Sequence, residues 1–250
     1  MTAIRAVVFD LGHTVWDFAP TEHGRRFSVL RAHERIRAAT SNGLPSPRDL
    51  ERSLSAAIGK VIEDWNTDDR LEQSPSSELV RDALSRAGFS APDDVVDDVT
   101  TLLFGTEADM PVVEPDSLAA LAVLHERGLA MGCVTNTILL QQGIDDVIER
   151  LGLRRYFTSA VVSAAAGFRK PHPSLFRQAL SELAVEPRET VFVGDRLDAD
   201  VAGAKAVGMR AVLTHQYRQE PVDGASPAPD AVIQRLAELP DVIERLESSS

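Results

Sequence analysis

Five short apolar runs constrain this fold more than any other feature of the chain: residues 4–9, 129–134, 159–163, 190–194 and 210–214. Each is nearly unbroken in apolar character rather than alternating. That is the pattern of strands buried on both faces of a parallel sheet. Helical periodicity fills the gaps between the later runs. Asp116 and Ser117 open one helix, with Leu118, Leu121 and Leu124 on one face and Gly128 ending it. Ile144, Val147, Ile148 and Leu151 mark an inward face near 140–151, and Leu175, Phe176, Ala179, Leu180 and Leu183 another near 173–184. Strands alternating with helices across short loops predict an α/β chain with a Rossmann-like, doubly wound parallel sheet.

The stretch from 19 to 111 breaks that alternation. Helices are expected near 24–39, 48–66, 77–87 and 92–104, with no convincing strand between them. In the second, Leu50, Leu54, Ile58, Val61, Ile62 and Trp65 recur at three- and four-residue steps. The reading is therefore a core domain built from 1–18 and 112–250, interrupted by an all-helical cap domain over 19–111. The Pro-, Asp- and Gly-rich stretch 220–230 reads as a surface loop.

Charge limits the partners. Lys and Arg total 26 against 38 Asp and Glu, a formal charge of −12. Such a field repels nucleic acid and anionic lipid, so neither is expected as a partner, and a phosphorylated substrate needs local positive groups to draw it in. Only Lys60, Lys170 and Lys205 are lysines, so a lysine beside a motif carries weight. The single Cys133 excludes an internal disulfide and lies in the apolar run Met131–Val134, where a buried strand residue is expected. No stretch of about 18 apolar residues suggests a membrane span, and no N-terminal targeting pattern stands out. A cytoplasmic location is expected. Walker-type phosphate loops, dinucleotide glycine patterns and two-His zinc motifs are all missing from the sequence.

The chemistry gathers where strands end. Asp10 closes Val7-Val8-Phe9, and Asp195 follows Val191-Phe192-Val193-Gly194, with Asp200 five residues further on. A carboxylate at the C-terminal end of a parallel strand faces the crevice where open α/β sheets bind ligands. Two such ends could hold a hard cation and attack a phosphoryl group. Val134-Thr135-Asn136 ends another strand, and Arg169-Lys170-Pro171-His172-Pro173 opens a helix.

These four segments, in this order, resemble the motifs of the haloacid dehalogenase-like hydrolase superfamily, in a member with a helical cap inserted after the first motif. The resemblance spans nearly the whole chain and implies Mg²⁺-dependent hydrolysis of a small phosphorylated metabolite. It implies that Asp10 attacks phosphorus and becomes an aspartyl-phosphate that water hydrolyses. Asp10, the main-chain carbonyl of Gly12 and Asp195 would hold Mg²⁺, with Asp200 acting through water or holding Lys170. Thr135 and Asn136 would bind phosphoryl oxygens, and Lys170 would offset the clustered negative charge.

One position departs from the family pattern. The residue two after the nucleophile is Asp in most of these phosphatases, where it protonates the leaving alkoxide; here it is Gly12. General acid–base help of that kind is typically worth about 10²–10⁴-fold. The alternatives are a phosphatase that leaves protonation to another group, a catalytically weak phospho-ligand-binding or regulatory protein, or a change of chemistry. Dehalogenation fits poorly with the retained Asp195 and Asp200, since it needs no metal. Phosphonate cleavage would need a Schiff-base lysine from the cap, and the sole candidate is Lys60, inside a helix. His13, next to Gly12, is a candidate proton donor, or else packs near Trp16. Asp198 is either a further acid of the site or solvated, and His172 reads as a turn residue. His23, Arg25 and Arg26 begin the cap as candidate substrate contacts. Neither the substrate nor the oligomeric state has a readable motif.

Overall fold

The computed structural model describes residues 3–18, 22–39, 44–67, 70–105 and 111–248, the side chains of 22–26 excepted. Six parallel strands form the main sheet: β1 (Ala6–Phe9), β4 (Ala130–Thr135), β5 (Ser159–Val162), β6 (Thr190–Gly194), β7 (Arg210–Thr214) and β8 (Ala231–Ile233). Their order is β5-β4-β1-β6-β7-β8. Every pairing is parallel. The unbroken apolar runs follow from this: Val7, Phe9, Met131, Cys133, Val191 and Val193 face one layer, while Val8, Val134, Val161 and Phe192 face the other. Helix α5 (Pro115–Glu126), helix α6 (Gln141–Arg150) and helix α10 (Leu239–Ser248) cover the first face. The second is covered by α8 (Pro173–Leu183) and the short α9 (Ala202–Ala206). The strand at 231–233 carries no signal as plain as the five expected ones, because it is three residues long and pairs only at the sheet edge.

Strand β1 is the switch point. The chain leaves it, returns to β4 on one side, and later reaches β6 on the other. Crevices of this kind open above the carboxyl ends of the strands, and the ends of β1, β4 and β6 are where Asp10, Thr135 and Asp195 stand.

Between β1 and the rest of the sheet come α1 (Glu22–Ala39), α2 (Pro47–Thr67), α3 (Ser76–Arg86) and α4 (Asp93–Phe104). They pack around their own apolar centre, which includes Val29, Ile36, Leu50, Leu54, Val80, Leu84 and Val96. The chain crosses into and out of this bundle through a two-stranded antiparallel ribbon, β2 (Asp17–Phe18) against β3 (Pro111–Val112). The helices are tied to the sheet domain elsewhere too. Gln73 Nε2 donates to Thr137 O (2.8 Å), Ser76 Oγ donates to Ile138 O (2.7 Å), and the main-chain N–H of Arg169 donates to Leu71 O (2.8 Å).

Candidate active site

Asp10 is the first residue beyond β1, and its N–H donates to Val193 O at 2.8 Å. That bond fastens the nucleophile candidate to the end of β6. Asp195 follows β6, and Asp200 lies in the helical turn Leu197–Val201 that comes next. Asp10, Asp195 and Asp200 are all buried, and each offers an oxygen within 4.8 Å of the others. Gly194 makes this possible: a Cβ there would sit 2.3 Å from Asp200 Oδ2. The same oxygen accepts the N–H groups of Asp195 (3.1 Å) and Arg196 (3.0 Å), which aims the Asp200 carboxylate back at the strand end.

Two cations answer these three acids. Lys170 Nζ lies 2.5 Å from Asp10 Oδ1 and 2.7 Å from Asp200 Oδ1, with only 4 % of the residue exposed. Arg218 Nε lies 2.8 Å from Asp195 Oδ2. Burial opposes charge on Lys170, but Asp10 and Asp200 outweigh it and hold the ammonium above its ordinary pKa. Burial pushes the Asp195 carboxyl up to about 8, helped by the negative charges of Asp10 and Asp200 and opposed by Arg218 and Lys170. Asp200, also pushed up by burial but drawn back by Lys170, stands at about 6. A trio of oxygen donors carrying an excess of negative charge suits a hard divalent cation, so the residues present fit a metal ion.

Thr135, at the end of β4, and Asn136 line the crevice beside Asp10. Asn136 is a clamp rather than a free donor. Its Oδ1 accepts the main-chain N–H of Lys170 (2.8 Å) and its Nδ2 donates to Lys170 O (3.2 Å). The Asn136 side chain, expected at a phosphoryl oxygen, instead holds the Lys170 backbone. His172, read as a turn residue, is the N-cap of α8 and accepts the N–H of Ser174.

Asp10, Thr135, Asn136, Lys170, Asp195, Asp200 and Arg218 line one cavity of about 690 Å³, to which the cap contributes Ile62, Trp65, Asn66, Thr67 and Leu71. Gly12 and His13 lie on its wall. His13 has φ 58°, the left-handed region that few non-glycine residues occupy. Its Nδ1 sits 2.9 Å from Asp17 Oδ1, and its ring meets Phe18 edge-on at 5.6 Å. Lys60 takes no part: it pairs with Asp64 at 2.8 Å on the exposed face of α2 and does not line the cavity. Asp198 is held by Arg196 through two bonds (2.9 and 2.7 Å), which lower its carboxyl pKa. His23, Arg25 and Arg26 have side chains outside the described residues.

Sequence reasoning passed over Arg218 and Arg169. Arg218 lies in the loop after β7, and its only signal was a basic residue beyond a strand end. Arg169 Nη1 and Nη2 donate to Trp65 O (3.2 Å) and Arg70 O (2.5 Å) of the cap, and its guanidinium lies 5.4 Å from the Trp65 ring. It fastens the segment beside Lys170 to the cap.

The haloacid dehalogenase-like hydrolase model matches residues 4–208, which takes in the first strand, the cap and the acids at 195 and 200. The chain belongs to the haloacid dehalogenase-like hydrolase family. It is 29 % identical over 245 residues, 97 % of its length and 98 % of the other's, to a glyceraldehyde 3-phosphate phosphatase of Methanopyrus kandleri. A 2-haloacid dehalogenase structure from Pseudomonas syringae superposes with a TM-score of 0.65 at 26 % identity, covering 97 % of this chain and 99 % of that one. A HAD phosphatase from Thermococcus onnurineus gives 0.60 at 23 % identity, covering 96 % and 98 %. This family member is thus an enzyme of the hydrolase class with the Rossmann-like sheet expected of it. Among the described residues no helix is long and apolar enough to cross a membrane.

Proposed function

We propose that the enzyme hydrolyses a small phosphate monoester through a phosphorylated Asp10, with Mg²⁺ as its cofactor. The observation that carries this reading is the buried trio of Asp10, Asp195 and Asp200, with Lys170 bridging two of its members at 2.5 and 2.7 Å. Asp10, the carbonyl of Gly12, Asp195 and Asp200 would hold the ion. When bound, it would neutralise phosphoryl charge and orient the ester for in-line attack. An Asp10 oxygen attacks phosphorus, the ester oxygen leaves, and water then cleaves the acyl phosphate to free phosphate and Asp10. Lys170, paired with Asp10 Oδ1 at 2.5 Å, offsets charge as the dianion arrives. Thr135 and the Asn136 main chain bind phosphoryl oxygens. His13 is the remaining candidate to meet the leaving group, through Nε2, because its Nδ1 faces Asp17. The activity for which the Methanopyrus relative is named supports a small phosphorylated metabolite as substrate, and the cytoplasm is the matching setting.

Dehalogenation shares the aspartyl intermediate and needs no acid, so Gly12 alone would permit it. The clustered Asp10, Asp195 and Asp200 argue the other way, since dehalogenation needs no metal and would leave this three-carboxylate donor set without a use. The test is phosphate release from 4-nitrophenyl phosphate with and without Mg²⁺, beside chloride release from 2-chloropropionate. Mg²⁺-dependent phosphate release, abolished in Asp10→Asn, is expected. Chloride release without metal would favour dehalogenation, and no turnover with tight binding of phosphate to both proteins would favour a binding protein.

A further inference from the structure

Building on the phosphatase reading above, we propose that the substrates this site prefers are aryl phosphate monoesters, whose leaving group is an aromatic ring carrying the ester oxygen. Two independent features of the cavity carry this. The first is chemical. Residue 12 has no side chain, so the place where a family acid would stand supplies no proton. An ideal Cβ on Gly12 would lie 3.0 Å from Phe18 Cε2 and 3.3 Å from Cζ. The Phe18 ring edge therefore borders the space beside residue 12, and an apolar group flanks the position that lacks an acid. A phenolate, with a conjugate acid near the tyrosine value of about 10, departs without the proton that an alkoxide requires.

The second feature is the shape of the wall above the acids. The acids and Lys170 sit at the core strand ends, whereas the ribbon and cap add Phe18, Pro111, Ile62 and Trp65, with Trp16 and Leu139 of the core beside them. Phe18 is 47 % and Ile62 49 % exposed, although both line the cavity. Apolar surface left open in this way favours a ligand that removes it from water. A sugar or polyol phosphate would instead call for hydroxyl partners on the cap side. The polar cap residues there are already engaged: Asn66 accepts from Arg196 Nη1 at 3.3 Å, and Thr67 Oγ1 donates to Glu63 O at 2.9 Å.

The step balances without a further reagent. Asp10 forms the new phosphorus–oxygen bond as the aryl–oxygen–phosphorus bond breaks and its electron pair leaves on the phenolate. Water then adds its hydroxyl to phosphorus, releases Asp10, and its proton ends on the phenolate.

The test compares phenyl phosphate, benzyl phosphate and glyceraldehyde 3-phosphate at saturating Mg²⁺, with phenylphosphonate and methylphosphonate as competitive inhibitors. Benzyl phosphate keeps the ring but leaves as an alkoxide, so it separates shape from leaving-group acidity. Phenyl phosphate is expected to exceed benzyl phosphate in kcat by about 10²-fold or more, the lower edge of what a general acid supplies. Phenylphosphonate is expected to inhibit roughly tenfold more tightly than methylphosphonate, a gap that Phe18→Ala and Ile62→Ala each narrow while leaving the melting temperature of the protein unchanged. Benzyl phosphate turned over within tenfold of phenyl phosphate, or equal inhibition by the two phosphonates, would overturn the proposal while leaving the phosphatase reading intact. No turnover of any of the three esters would overturn the phosphatase reading itself.

Discussion

Replacing Lys170 with Met removes the ammonium and keeps a stem of similar length, so the perturbation is almost purely electrostatic. Nζ bridges Asp10 and Asp200 at 2.5 and 2.7 Å, and the residue is buried at 4 % exposure. Without it, two buried carboxylates lose their shared partner. Breaking a buried pair by removing one member costs about 3–5 kcal/mol, because the charge left behind is neither solvated nor paired. For a protein of this size each kcal/mol shifts the melting temperature by about 2–4 °C, so the expected fall at pH 7.5 is roughly 6–20 °C. Differential scanning calorimetry in EDTA measures it directly.

The sign of the pH dependence separates this cause from simple loss of packing. Asp200 already stands at about 6 with Lys170 in place, because burial raises it more than the lysine lowers it. With the lysine gone the carboxyl rises further, so the folded variant takes up a proton as the pH falls towards 5 and the penalty is relieved. The deficit relative to the parent protein should therefore shrink by half or more between pH 7.5 and pH 5. Adding Asp200→Asn should recover part of the stability at pH 7.5 while leaving the enzyme inactive, a coupling that independent sites would not show. A Lys170→Met protein melting within 2 °C of the parent at pH 7.5, or one whose deficit is the same at both pH values, would refute the argument.

Three further outcomes follow from the same geometry. Asp195 is raised to about 8 by burial and by Asp10 and Asp200, so the metal-free protein should lose stability as pH rises from about 4 to 8, while Mg²⁺ affinity by calorimetry should fall about tenfold per unit below pH 8 with proton release; a pH-independent affinity would count against this. Gly194→Ala would drive a methyl group to 2.3 Å from Asp200 Oδ2, so kcat should drop by about 10²-fold or more in a protein that still folds by circular dichroism, and retained activity would show that the Asp200 position is not needed. Arg218→Ala frees an Asp195 oxygen from a guanidinium at 2.8 Å and should tighten Mn²⁺ binding, read by electron paramagnetic resonance, by roughly tenfold, whereas weaker binding would make Arg218 a support of the metal site and not a competitor.

The core was legible because its signals are local. An unbroken run such as Val191–Gly194 reports burial on both faces without reference to any other part of the chain, and a carboxylate immediately after it is placed by the strand's direction. Lys170 was legible for a different reason: lysine is scarce in this chain, and the segment stands just before a helix. What the sequence did not show are juxtapositions between distant residues. Asp17 and Val112 pair across the whole cap, yet each contributes to a strand only two residues long. Arg218 reaches Asp195 from a loop after a different strand, and a basic residue beyond a strand end does not say which acid it will meet.

Position 12 shows where the boundary between the two kinds of information lies. That Gly12 lacks a carboxylate is plain from the sequence, and it narrows the chemistry by removing one proton donor. Only the structure shows what borders that space, the ring of Phe18 from β2, with Cε2 3.0 Å from where a Cβ would begin. The two facts differ in consequence. A missing acid with an open, polar space would let water or a substrate hydroxyl take its place. A missing acid with an aromatic ring edge beside the same backbone offers an apolar leaving group a contact, so under the aryl phosphate proposal the loss at residue 12 and the ring at residue 18 act together on specificity. Substituting either alone tests only half of it; Gly12→Asp combined with Phe18→Ala is the change that restores both the acid and the room it needs.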